Sequence, residues 1–291
     1  MVAAIAGYAT LWPGAASAQE RVVERHRWGS DEGRLMGYYS AALAFSPVAA
    51  PRVRAPWSAE AGVELSLIPP LSEAQRSGNF QKTENTNLAP VLPRPRALLA
   101  VPGGVTVEVS WVPPVEAFGV TANLVSVALA RPVGAWGGVT LTPRLATAGG
   151  RVTGPITCNQ ELERNGGGDA LYYTYVCHER ESADRFEPRA LSGELVASRA
   201  PASSTARAGA LIPYAGAGVR AERTRFDVGV RNADGSRDPA HPILELRLAR
   251  GYGFVGATWL GLARAALSGE LFYAPGSLVT ARVQAAWRWD R

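Results

Sequence analysis

The chain has 291 residues, a formal net charge of +5 and only 19% charged residues, with its arginines scattered along its length. Scattered charge excludes the clustered basic footprint that nucleic-acid binding requires. Downstream of the first residues no run of about 18 apolar residues occurs, which excludes helical membrane spans.

Residues 1–18, MVAAIAGYATLWPGAASA, are apolar and small and end in Ala16-Ser17-Ala18, the small-x-small pattern of a secretory cleavage site, so they are expected to be a signal peptide. Residues 19–34 are polar and of mixed charge. Residues 35–46, LMGYYSAALAFS, fit either a strand or a short helix, and Pro47, Pro51 and Pro56 then break the chain repeatedly. Residues 19–56 are therefore expected to be an N-terminal arm or plug, with the barrel described below occupying 57–291.

From Trp57 onward a period of two dominates. Trp57, Ala59, Ala61, Val63, Leu65 and Leu67 share one face, and Ser58, Glu60, Gly62, Glu64 and Ser66 the other. Residues 71–90 are polar and aperiodic, as in a long exposed loop. Alternation resumes over 94–101, Gly103-Gly104 supplies a tight turn, and 105–111 alternates again before Pro113-Pro114. Two further strands are expected over 118–129 and 139–147, the second with Thr140, Thr142 and Arg144 inward. Residues 149–187 form the longest irregular insertion.

Leu191, Gly193, Leu195 and Ala197 then oppose Ser192, Glu194 and Ser198. In 211–230 the apolar phase moves from odd positions (Val219, Ala221) to even ones (Phe226, Val228, Val230), which suggests a bulge. After the loop 232–242, the stretch 243–262 is expected to turn Leu244, Leu246, Leu248, Tyr252 and Phe254 outward and Glu245, Arg247 and Trp259 inward. The final hairpin, 265–289, carries the pattern most fully: Val279, Ala281, Val283, Ala285, Trp287 and Trp289 lie on one face, and Thr280, Arg282, Gln284 and Arg288 on the other.

An apolar outside with a charged inside is the code of a lipid-facing barrel and the reverse of a soluble sandwich. The predicted fold is all-β, an antiparallel transmembrane β-barrel of about ten strands, with twelve as the alternative. Its inward positions define a candidate lumen network: Glu60, Glu64, Arg96, Glu108, Arg144, Glu194, Glu245, Arg247, Glu270, Arg282 and Arg288. Acid and base nearly balance, so these side chains either pair across a narrow interior or line a hydrated passage.

Cys158 and Cys177 lie within one loop of an exported chain and are expected to form a disulfide rather than a metal site, because no fourth ligand is evident and the spacing matches no zinc pattern. His26, His178 and His241 fall in loops with no nucleophile nearby in sequence, and no Gly-x-Ser-x-Gly elbow occurs. Asp234 to Asp238 reads as a plain turn rather than a calcium loop. The chain is accordingly expected not to be an enzyme and to use no cofactor or metal.

Strand style across most of the chain, and the aromatic closing strand 279–289 in particular, resembles the outer-membrane β-barrels of Gram-negative bacteria, of porin-like or transporter style. One departure is that Asp290 and Arg291 follow Trp289. The resemblance implies a monomer in the outer-membrane lipid bilayer, with the long loops 71–90 and 149–187 outside the cell and the last strand recognised by the barrel-assembly machinery. The expected function is passive passage or binding of a small solute in the lumen. A closed structural or surface-interaction barrel acting through its loops is the alternative, and a secreted soluble β-sandwich the second alternative.

Overall fold

The computed structural model describes residues 21–72, 90–117, 119–199, 209–261 and 264–289. The expected signal peptide and most of the loop 71–90 lie outside the described residues. In chain order the elements are β1 (Val23–His26), α1 (Asp31–Ala42), β2 (Ala59–Leu67), β3 (Val91–Val101), β4 (Val105–Val112), β5 (Glu116–Ala117), β6 (Val120–Ala130), β7 (Gly134–Trp136) and β8 (Val139–Gly154). There follow α2 (Gln160–Asn165), α3 (Gly167–Tyr175), β9 (Asp184–Ser198), β10 (Ala210–Asp227), β11 (Ile243–Leu260), β12 (Ala265–Ala274) and β13 (Leu278–Trp289).

Strands β2, β3, β4, β6, β8, β9, β10, β11, β12 and β13 each pair antiparallel with the next, and β13 returns to β2 through a register running from Arg282↔Ser66 to Trp289↔Ala59. Ten strands therefore close a barrel, as the alternation predicts. Closure removes the free sheet edges that an open sheet would leave exposed. β5 and β7 are short flaps on β6 and β8, and β1 pairs parallel with the start of β11 where β11 projects past β12. One end of the barrel carries the long connections after β2, β8 and β10 together with the tight turn after β12, and the other carries the connections after β3, β6, β9 and β11, the start of β2 and the end of β13.

Period-two alternation places the side chains as expected on most strands. Val279, Val283 and Trp287 are exposed on β13, whereas Thr280, Arg282, Gln284 and Arg288 are buried. On β11 the expected faces are reversed. Tyr252, Phe254, Leu244 and Leu246 are buried in the interior, while Val255 and Trp259 are exposed outside. The bulge expected in β10 is absent: its ladder with β11 runs without a break from Ala210↔Leu260 to Asp227↔Ile243, and Phe226 points inward beside Phe186. Both departures have one cause. The upper lumen is itself an apolar core, so inward positions there are aromatic and aliphatic, and apolar character no longer marks the outside.

The material that fills this lumen is the N-terminal segment. Residues 35–46 are mostly helical rather than a strand. Ser30 caps α1 by accepting from the N–H of Gly33 at 3.1 Å, and Asp31 and Glu32 in the first turn suit the positive end of the helix dipole. Gly37 is required where it stands, because a Cβ there would meet the Trp28 ring at 2.0 Å. α1 enters at the loop-bearing end, residues 43–50 descend through the interior, 51–56 emerge, and β2 starts at the opposite end. The insertion after β8 is shorter than expected, because β8 runs on to Gly154 and β9 begins at Asp184.

Candidate functional site: the filled lumen

The interior has two storeys. At the loop-bearing end α1 packs with Phe186, Phe226, Val228, Leu244 and Leu246 in one buried cluster that continues to Leu162 and Tyr173 of the cap helices. Cys158 and Cys177 are joined in a disulfide with Cα atoms 5.7 Å apart, stapling α2 and α3 over this core. Asp184, fully buried at the base of β9, accepts from the Ser182 hydroxyl at 2.7 Å and from the N–H of Gly229 at 2.6 Å. The carboxylate thereby ties the cap to the β10–β11 connection.

Below the apolar storey, residues 43–47 run without regular secondary structure, so their carbonyl groups have no ladder or helix to satisfy them. The barrel wall supplies the donors. Arg94 donates to the carbonyls of Leu43 and Ala44, each at 3.1 Å, and Arg220 to that of Phe45 at 2.8 Å. Arg96 and Arg282 donate to the carbonyl of Ser46 at 3.2 and 3.4 Å, and Arg144 to that of Pro47 at 2.8 Å. The Phe45 ring lies under the guanidinium groups of Arg96 and Arg94, at 4.9 and 5.6 Å. Five arginines from four strands, Arg94 and Arg96 of β3, Arg144 of β8, Arg220 of β10 and Arg282 of β13, thus hold five consecutive residues. A hydrogen bond to a charged donor contributes about 1.5–3 kcal/mol net, so the set is a substantial lock.

Carboxylates pair with these guanidinium groups and aim them. Arg96 meets Glu64 at 2.8 Å and Glu108 at 2.7 Å, Arg144 meets Glu194 at 2.6 Å, and Arg282 meets Glu270 at 3.5 Å. Glu194 also accepts from the Ser46 hydroxyl at 3.2 Å and from Tyr252 at 2.8 Å, and Glu270 accepts from Tyr214 at 3.1 Å. Lower down, Glu60 takes Arg54 and Arg52 of the segment at 2.8 and 3.4 Å, and Arg288 donates to the carbonyl of Arg264 at 3.1 Å. The segment leaves past Thr258, which accepts from the N–H of Ala50 at 2.8 Å, and past Ser198, which donates to the carbonyl of Pro51 at 2.8 Å.

Nine of the eleven sequence-predicted network residues therefore face the lumen: Glu60, Glu64, Arg96, Glu108, Arg144, Glu194, Glu270, Arg282 and Arg288. Glu245 and Arg247 do not. Their register with Arg225 and Arg223 puts them on the outer face, where Glu245 pairs with Arg223 at 2.6 Å and Arg247 at 3.5 Å. They lie on the part of β11 that projects beyond the apolar band, where an outward side chain need not be apolar. Sequence reasoning missed Arg94, Arg220, Glu222 and Arg250, the last two of which pair at 3.0 Å. The signal for Arg94 was available in its alternation with Pro93 and Pro95.

Outside, the band is apolar. Leu65, Val109, Val125, Leu145, Leu195, Val255, Leu271 and Val283 are all exposed. Exposed Trp57, Trp136, Trp259, Trp287 and Trp289 cluster toward the end where β2 starts. At the other end Arg189, Arg223 and Arg247 stand in one cross-strand row on the outer face. Among the described residues no group of three or more His, Cys, Asp or Glu side chains is placed to hold a metal ion.

No protein-family model and no curated protein matches this chain. Among solved structures it is similar to Ail, the attachment invasion locus protein of Yersinia pestis, at 8% identity and a TM-score of 0.30, covering 81% of this chain and 100% of that one. It is also similar to a triple mutant of the Rhodopseudomonas blastica porin, at 10% identity and a TM-score of 0.21, covering 80% of this chain and 99% of that one. Overlaps this low carry no weight, and the barrel stands on the chain's own closed ladder.

Proposed function

We propose that this chain is an outer-membrane β-barrel sealed by its own N-terminal segment, acting at its loop-bearing end rather than as an open passage. An apolar exterior on a closed antiparallel ring supports the membrane reading, because exposed side chains of that kind are stable against lipid and costly against water. The tryptophans at the end where β2 starts match an aromatic girdle at one interface. At the opposite end the outer-face row of Arg189, Arg223 and Arg247, in which Glu245 pairs with two of the three, keeps a net positive charge that suits a surface of anionic lipid headgroups. This orientation puts the stapled cap outside the cell and leaves β13 at the inner end, available to the barrel-assembly machinery. One chain closes the ring by itself, so a monomer in the bilayer is sufficient.

The observation that carries the sealed reading is the capture of five consecutive carbonyls, Leu43 to Pro47, by lumen arginines. Passage of a solute would require residues 43–56 to leave and those guanidinium groups to find other partners. Single-channel recording in planar bilayers tests this. The full chain is expected to insert with a quiet baseline, and stable, reproducible openings of the unmodified protein would overturn the sealed reading.

A further inference from the structure

The wall of the barrel is not uniformly laddered. β2 and β3 stay paired as far as Leu67↔Val91, and β4 and β6 as far as Val112↔Leu124, but the ladder between β3 and β4 stops at Arg96↔Ser110. Toward the loop-bearing end, residues 91–95 and 111–115 face one another with no ladder between them. The sequence explains the stop. Ala100 exchanges bonds with Trp57 and Ser58 on the β2 side, and Pro90 accepts from Ile68 on the same side. Even-numbered residues of β3 therefore address β2, and odd-numbered ones address β4. Pro93 and Pro95 are odd, so both N–H groups that should bond β4 are missing. Continuing the register of Ala97↔Val109 brings Pro93 opposite Pro113. A pair that would normally exchange two bonds has no donor on either strand.

Behind this stretch lies a cavity of about 310 Å³ with almost entirely apolar walls. Its floor is Tyr38, Tyr39, Ala42 and Leu43 of the plug, and its sides include Leu92, Val112, Ala122 and Val152 of the inner wall. It is also lined by Val63, Pro93 and Pro95, which belong to the outer face of the barrel. One cavity touched from both faces of a sheet must open through it. The volume falls in the range of small-molecule sites, and its mouth is continuous with the apolar exterior.

We infer that this cavity receives an acyl chain of a membrane lipid, which reaches it sideways between β3 and β4. The inference rests on the reading of the exterior as lipid-facing. Lipid tails are then the molecules adjacent to the opening, and burying one against Tyr38, Leu43 and Val152 covers apolar surface that is otherwise a void. The plug supplies the floor, so a sealed lumen and a lateral site are parts of one arrangement: nothing crosses the barrel, and the tail stops at α1.

Cross-linking tests it on the full chain in phosphatidylcholine vesicles that contain a phospholipid with a photoactivatable diazirine on one acyl chain. Labelled positions are mapped by peptide mass spectrometry. Labels are expected on the exterior at Val125 and Leu271 and, behind the wall, on Tyr38, Tyr39 or Leu43. In Ala122→Trp, which fills the cavity, the plug labels should be lost and the exterior labels kept; Val152→Trp at the cross-strand partner position serves if the first variant does not fold. Exterior labels without plug labels in the unmodified protein would overturn the site and leave the membrane reading standing, as would occupation of the cavity by residues 73–89 of this chain. Absence of exterior labels would overturn both. Plug labels that persist in both filled variants would overturn the route between β3 and β4.

Discussion

Arg220 donates to the carbonyl oxygen of Phe45 at 2.8 Å across 175 positions of sequence. The contact joins the wall to a segment with no regular structure of its own, which makes it a direct handle on the plug. In Arg220→Met the apolar stem is retained and Glu222 keeps Arg250 at 3.0 Å, but the buried carbonyl loses its donor. The expected cost is about 1–3 kcal/mol, read from denaturant unfolding in lipid vesicles. An unchanged midpoint would mean that the arginines do not hold the segment.

Face assignment on the closing hairpin yields a second prediction. Val283 lies outside, midway along β13, and Gln284 lies inside, accepting from Arg96 at 3.3 Å. Val283→Arg should destabilise the barrel by about 2–4 kcal/mol in lipid. Alternation alone marks Gln284→Arg as harmless, because the inside is polar. The structure reverses that expectation: a new guanidinium would face Arg96 and remove its acceptor, whereas Gln284→Glu adds a carboxylate there and should be tolerated. Equal stability of Gln284→Arg and Gln284→Glu would contradict the placement.

That reversal shows how far the sequence could be read. β2, β9, β12 and β13 were legible because their inward residues are charged or small and polar, so the period-two code is unambiguous. β11 was not, since Tyr252 and Phe254 face a lumen packed with protein rather than water. Alternation with Leu244, Leu246 and Leu248 reads Glu245 and Arg247 as inward, yet they lie on the outer face past the apolar band, where an outward charge carries no cost. The plug is visible in the sequence only as a segment that fits either a strand or a short helix. Its partners are not, because a backbone carbonyl leaves no trace in a pattern of side chains.

The Cys158–Cys177 bridge closes a loop over a separation of 19 residues, which by chain entropy stabilises the cap by roughly 3 kcal/mol. Cys158→Ser with Cys177→Ser should open 155–183 to limited proteolysis while the barrel keeps its resistance. Loss of resistance along the strands as well would show that the cap is needed for the barrel itself.

In the β10–β11 connection the hydroxyl and then the N–H of Ser236 bond the Asp234 carboxylate, at 2.6 and 2.8 Å, and hold its pKa below the ordinary value. A depressed carboxylate favours the folded turn above the unfolded pKa, and that contribution is lost as pH falls through the folded one. Ser236→Ala should raise the Asp234 pKa toward the ordinary carboxylate value, observed as a shifted carboxyl titration by NMR in detergent micelles. An identical titration in both proteins would remove Ser236 as the cause.

Hydrogen exchange of the full chain in lipid vesicles, followed by mass spectrometry of peptides spanning 43–50, the enclosed part of the segment, tests the sealed lumen most directly. These residues have almost no backbone ladder, so slow exchange there can come only from enclosure. Protection comparable to that of β12 and β13 is expected. Exchange as fast as in an open chain, with the strands still protected, would contradict it.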